Sequence, residues 1–312
     1  MRSDLAFVGW VLGMGLGLGL SPLAQAQSFG LCERHQAVSA GDQDLILRFT
    51  ATVMRELDRS GSSTALVSRA GTDLRRFGIR YSHAGLALKD NPEGAWAVRQ
   101  LYYVCDESRP RLFDQGLAAF LLAGQATGTA YVSIVTMPGF KDTQLRDRAL
   151  DKPTALNLLG AHYSANAYAY GLRYQNCNQW VAEMLAAAWD DTDARAQAAD
   201  SRRYERAQAQ RWLQTQSYEP AQVQVGSHGL MFIGQWVPLL HVDDHPLDDL
   251  YALRMRVSLP DSLQGFMRQQ VPSAQRVELC LKDRRIVVHR GWTPLGDECE
   301  PGSPGDEVQR LD

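Results

Sequence analysis

Gln175-Asn176-Cys177-Asn178-Gln179-Trp180-Val181-Ala182-Glu183-Met184-Leu185 begins with amide side chains around a cysteine and continues as an apolar run. Val181, Met184, Leu185 and Ala188 recur at helical spacing, which predicts a helix over residues 175–189. Counting back four from Val181 puts Cys177 on the same buried face, in the first turn. A thiol there meets unpaired backbone N–H groups and the positive end of the helix dipole, both of which favour the thiolate. The side chain of Asn176 or of Asn178 can cap the turn. A cysteine nucleophile also needs a base, normally a histidine.

The histidine that fits is His83, in Tyr81-Ser82-His83-Ala84-Gly85-Leu86-Ala87-Leu88. Strand alternation puts Ser82, Ala84, Leu86 and Leu88 on one face, an ordinary core pattern. Tyr81, His83, Gly85 and Ala87 share the other face, and the two small residues beside the histidine leave room for close approach of a helix. A thiolate–imidazolium pair is expected, with a thiol pKa well below the ~8.5 of a free cysteine. The bland alternative is a half-buried strand histidine with a satisfied hydrogen bond.

Outward from these two stretches, residues 42–58 read as an amphipathic helix with Leu45, Phe49, Val53 and Leu57 at intervals of four. Residues 64–68, 81–89, 95–104 and 129–135 read as strands. The turn Asp90-Asn91-Pro92-Glu93-Gly94 makes the second and third of these a hairpin. Residues 112–123 are expected to be helical, and the chain to about residue 213 is helix-rich. Short apolar runs follow residue 226, with strands at 276–281 and 285–290. The organisation expected is therefore a core over 27–225, a strand-rich extension of the same body over 226–299, and a disordered tail, rich in Pro, Gly and acids, over 300–312.

Residues 5–20 are apolar and glycine-rich, follow Arg2, and precede Ala24-Gln25-Ala26. This reads as a signal peptide over 1–26, cleaved after Ala26 to leave Gln27 first, with export to the periplasm. In an oxidising compartment five cysteines leave one thiol over. Cys280 and Cys299 flank the C-terminal hairpin, and Cys32 can tie the mature N-terminus to Cys105, so bridges Cys32–Cys105 and Cys280–Cys299 are expected with Cys177 reduced.

The 312 residues are 45% apolar and 21% charged, the composition of a folded domain. A net charge of −3 offers no basic excess for a phosphate backbone, so no nucleic-acid partner is expected. After residue 26 no apolar stretch is long enough to span a bilayer. His241-Val242-Asp243-Asp244-His245 carries metal-capable side chains, and a helix would align His241 with His245. Pro246 and the lack of a zincin glutamate favour a polar loop, so neither metal nor cofactor is expected. Trp180, Trp189, Trp212 and Trp236 read as core, with Trp180 able to line a groove beside the cysteine.

A strand bearing Ser82-His83-Ala84-Gly85, followed some ninety residues later by Asn176-Cys177 opening a helix, resembles the circularly permuted papain-like superfamily. Its members are relatives of the NlpC-type cell-wall peptidases and of the lecithin:retinol acyltransferase group. His83 preceding Cys177 is the permuted order. The chain also resembles a proteobacterial family of secreted proteins of unknown function. The motifs cover residues 64–190 and leave the C-terminal third uncovered.

The resemblance implies an α+β, permuted papain-like fold, with an antiparallel sheet packed on a cysteine-bearing helix and additional C-terminal strands. It also implies a polar residue on the strand after the histidine, to orient the imidazole. Gln100 fits, sharing a face with Trp96, Val98 and Tyr102, with Tyr102 in reserve; Arg99 faces away. The backbone N–H of Cys177, at the turn formed by Asn176 and Asn178, would supply half of an oxyanion hole. The activity implied is a cysteine hydrolase or acyltransferase acting on a peptide or acyl substrate of the cell envelope, cell-wall peptides first. The competing expectation is an inactive envelope protein that binds a ligand in the same cleft.

Overall fold

The computed structural model describes residues 39–71, 74–123, 129–191, 204–234, 236, 237 and 239–311. The signal peptide expected over residues 1–26, with cleavage after Ala26, lies outside these residues, as does Cys32 of the expected Cys32–Cys105 bridge. Ser39 starts helix α1 (Ala40–Arg59), its Oγ accepting from the Asp42 N–H at 3.1 Å. The buried stripe of α1 is Ile46, Phe49, Val53 and Leu57; Leu45 is only partly covered.

Eight strands form one antiparallel sheet: β1 (Thr64–Arg69), β2 (His83–Leu88), β3 (Ala97–Val104), β4 (Arg109–Gln115), β5 (Thr129–Thr136), β8 (Gln275–Lys282), β9 (Arg285–Arg290) and β10 (Glu307–Arg310). Their spatial order is β10-β9-β8-β5-β1-β2-β3-β4. β6 (Ala221–Gln224) and β7 (Arg254–Val257), which fall between β5 and β8 in the chain, form a separate two-stranded sheet.

Helices cover both faces of the large sheet. On one side α1 and α2 (Leu117–Leu122) pack on Val67, Ala87, Val98, Val132 and Ile134. On the other, α3 (Phe140–Leu150), α4 (Lys152–Asn157), α5 (Cys177–Trp189), α6 (Arg206–Thr215) and α9 (Pro260–Gln270) close over Leu66, Ala84, Leu86, Leu88, Leu101 and Val135. Every residue of α5 is buried, which fits its apolar composition and makes it the central helix of that layer. The shorter α7 (His228–Gly234) and α8 (Leu247–Tyr251) lie beside the small sheet. The protein is therefore α+β, with a large antiparallel sheet.

Three local expectations are corrected. Residues 112–115, expected to be helical, end β4, because Arg109–Gln115 pairs along β3 from Val104 to Val98. Residues 226–270 hold, among the described residues, three helices and a single short strand, β7; most of the strands lie in their continuation. β8 pairs with β5 over its whole length, so those strands are part of the central sheet. The tail expected to be disordered instead contributes β10, which pairs with β9 from Glu307↔Val288 to Arg310↔Arg285. Asp306 anchors it, accepting from Ser303 and holding His289 Nδ1 at 2.6 Å.

Cys280 and Cys299 are disulfide-bonded, with Cα atoms 5.7 Å apart. The bridge sits in a small cluster with Val287, Leu295 and Tyr131. Cys105 is also disulfide-bonded.

Candidate functional site

The site forms where β2 and β3 part. Their pairing runs from Leu88↔Ala97 to Leu86↔Arg99 and stops there, while β2 stays paired with β1 down to His83↔Arg69. The N-terminus of α5 meets the opened end. Asn178 donates from Nδ2 to the Ser82 carbonyl at 3.1 Å, and the Ala84 N–H turns to the Cys177 sulfur. The thiol is thus bound at the residue next to His83 in sequence.

Asn176 is the N-cap of α5, its Oδ1 accepting from the Gln179 N–H at 2.7 Å. Its Nδ2 donates to the carbonyls of Ala165 and Ser258 at 3.3 Å, so this side chain is fully engaged. Asn178 does not cap the turn; it fastens α5 to β2.

His83 and Gln100 are brought together, with Nε2 and Oε1 2.5 Å apart. Gln100 Nε2 donates to Gln115 Oε1 at 2.6 Å, which fixes the orientation of the amide. An amide oxygen only accepts, so the imidazole carries its proton on Nε2 and leaves Nδ1 basic. The rings of Tyr102 and Phe120 each lie 5.8 Å from the imidazole. Arg99 faces away, paired with Asp114 at 2.6 Å.

Gly85 has a different reason from the one expected. A Cβ there would meet Val98 Cγ1 at 2.5 Å and Gln100 Cβ at 3.2 Å. The space is taken by side chains of β3, not by a helix, and the glycine lets Gln100 lean across to the histidine.

Electrostatics also depart from expectation. Cys177 is 6% exposed and His83 7%. Burial pushes the thiol up to about 11, outweighing the N–H groups of Asn178 and Ala84 and the charge of Arg69. Burial, then Arg69, pushes the imidazole down to about 3, against the Gln100 bond. The resting pair is a neutral thiol and a neutral imidazole, not the expected thiolate–imidazolium, because removing charge from water costs more here than the helix dipole returns.

Two residues of the site escaped the sequence reading. Arg69 ends β1, is 2% exposed, and lies with its guanidinium 5.1 Å over the Phe120 ring. Its charge acts on both Cys177 and His83. An arginine closing an apolar strand was the available signal.

The second is Glu183, fully buried on α5. It accepts from Arg206 Nε at 2.8 Å, Gln210 at 2.6 Å and Gln175 at 2.5 Å. Arg206 in turn donates to the carbonyls of Gly171, Leu172 and Tyr174. This network holds the segment that leads into Cys177. A lone acid in an otherwise apolar helix face had to be paired.

His241 and His245 lie in a turn rather than on a helix. His241 stacks on Tyr174 at 4.3 Å, and His245 Nε2 lies 2.7 Å from the Asn166 carbonyl. Among the described residues no group of three or more His, Cys, Asp or Glu is placed to hold a metal ion. Trp180 is fully buried, as expected of a core residue, and donates to the Ala155 carbonyl. Trp236, expected in the core, is 65% exposed.

These features define an α+β protein with a buried cysteine at a helix start, set against a histidine-bearing strand of an antiparallel sheet. A family model described as an uncharacterized protein conserved in bacteria (DUF2145) matches residues 56–267, and the chain belongs to that family. No curated protein and no solved structure matches the chain.

Proposed function

We propose that this protein is an envelope cysteine hydrolase or acyltransferase of the permuted papain-like kind. The observation that carries the reading is the Cys177 sulfur held by the Ala84 N–H, beside a histidine whose tautomer is set by Gln100 and Gln115. Cys177 attacks a carbonyl carbon, forming a C–S bond as the carbonyl electron pair moves to oxygen. The thiol proton passes to the free ring nitrogen of the neutral His83 imidazole and then to the departing amine or alcohol. Water or an acceptor amine resolves the thioester and restores the thiol. N–H groups at the α5 N-terminus stabilise the oxyanion. Amide bonds of cell-wall peptides are the first substrates, with acyl esters second.

The test is hydrolysis or transfer on cell-wall peptides and lipid esters, with the native chain against Cys177→Ala and His83→Ala. Loss of turnover in both variants, with folding retained, supports the reading; equal turnover in native and Cys177→Ala overturns it. Export predicts that N-terminal sequencing of periplasmic material starts at Gln27, and a start at Met1 with membrane retention overturns that part.

The neutral, buried pair favours a second reading, a non-enzymatic protein that binds a ligand in this cleft. It predicts saturable ligand binding that survives Cys177→Ala, with no thioester.

A further inference from the structure

Strand β1 ends on a buried cation. Arg69 stands directly opposite His83 in the β1–β2 register, so the two side chains leave the same face of the sheet. Its carbonyl accepts from the Ser82 N–H at 3.2 Å, and its Nη1 donates to the Ala70 carbonyl at 3.0 Å. At Gly71 a Cβ would stand 3.3 Å from His83 Cβ and 3.5 Å from Arg69 Nη1, so the chain leaving β1 lies against both residues. Phe120 faces them together: its ring centre is 5.1 Å from the guanidinium carbon and 5.8 Å from the centre of the imidazole.

Charge on the other elements is turned elsewhere. α2 carries none, Arg99 of β3 is held by Asp114, and Glu183 of α5 is held by Arg206. Between β1 and β2, Arg80 is held by Glu278 and Asp297, Tyr81 donates to Glu278, and Arg75 and Arg76 are exposed. The titratable neighbours that remain are phenols. Tyr102 lies beside the imidazole, and Tyr163, which acts on the thiol, is kept protonated by burial. Among the described residues, Arg69 is the charge that acts on both Cys177 and His83.

A fixed positive charge treats the two groups differently. It favours the sulfur as thiolate and disfavours the imidazole as imidazolium. In the proposed reaction the S–H bond breaks, the proton joins His83, and the C–S bond forms as the carbonyl electron pair moves to oxygen. An imidazolium next to Arg69 is a strong acid, so it gives its proton to the departing nitrogen as the C–N bond breaks. We infer that Arg69 is a positioning residue for charge: it holds negative charge at Cys177 and drives the proton through His83 to the leaving group. This role rests on the acyl transfer proposed above, while the charge itself is measurable without turnover.

Arg69→Met removes the charge and keeps an unbranched chain; Arg69→Lys keeps the charge. Loss of charge raises the thiol and imidazole pKa together, whereas water entering a loosened site raises the imidazole and lowers the thiol. In the full chain, Arg69→Met should move the His83 midpoint in histidine NMR upward by about one pH unit. Iodoacetamide labelling of Cys177 at pH 8 should slow about threefold or more. Arg69→Lys should match the native chain in both, and Arg69→Gln is the second neutral variant if Arg69→Met does not fold. An unmoved imidazole or faster labelling in the neutral variant overturns the role. Turnover should fall further on the p-nitroanilide of N-acetylalanine than on its p-nitrophenyl ester, whose phenolate leaves without a proton, and equal loss on both also overturns it. A native chain that turns over neither, with the NMR and labelling shifts as expected, upholds the charge effect of Arg69 and counts against the proposed reaction instead.

Discussion

His83 Nε2 and Gln100 Oε1 stand 2.5 Å apart across the opened end of β2 and β3. The contact is neutral, so it orients the ring but offsets little of the cost of charging it. Gln100→Glu should place a carboxylate at that point and raise the imidazole pKa from about 3 towards its ordinary range. Histidine NMR titration reads this directly; an imidazole still neutral at mild acid in the variant would show that Gln100 does not face it in solution.

Acid stability follows from the same ring. The folded imidazole titrates at about 3 and the unfolded one near 6.5. Below pH 6.5 the unfolded chain binds a proton that the folded chain refuses, so the contribution is full above that pH and is lost as pH falls towards 3. The loss is of the order of 5 kcal/mol. Denaturant melts of His83→Gln across this window should show a flatter pH dependence than the native chain.

Cys177 carries the opposite sign. Its thiol titrates at about 11, above the ordinary value. Iodoacetamide should label the native chain slowly at neutral pH, with a rate rising about tenfold per pH unit towards that value. The unfolded chain should show its inflection near the free-cysteine range. Fast native labelling in mild acid would mean that a thiolate is already present.

The Cys280–Cys299 bridge closes a sequence separation of 19 residues beside the β8–β9 pair. Replacing both cysteines with serine should lower stability by about 2–4 kcal/mol. Equilibrium unfolding measures this, and the Cys177 labelling profile serves as a control that should not move.

Local pattern was enough for α5, for narrowing its cap to Asn176 or Asn178, for the β2–β3 hairpin and for the placing of His83 and Gln100 on neighbouring strands. Helical and strand periods repeat over a few residues, and capping and turn chemistry act within one turn. The Cys280–Cys299 pairing was legible too, because strands joined by a short turn keep their flanks together.

Only the tertiary structure decided the rest. β8 joins β5 across more than a hundred residues of chain, and β10 pairs with β9 despite a composition suited to a tail. Such pairings depend on which sheet edge is open, a property of the assembled fold. The neutral state of Cys177 and His83 comes from desolvation summed over every element packed around them. A helix start alone predicts the reverse. Trp236 has a core residue's chemistry and a surface position, because no other element of the described chain folds over it.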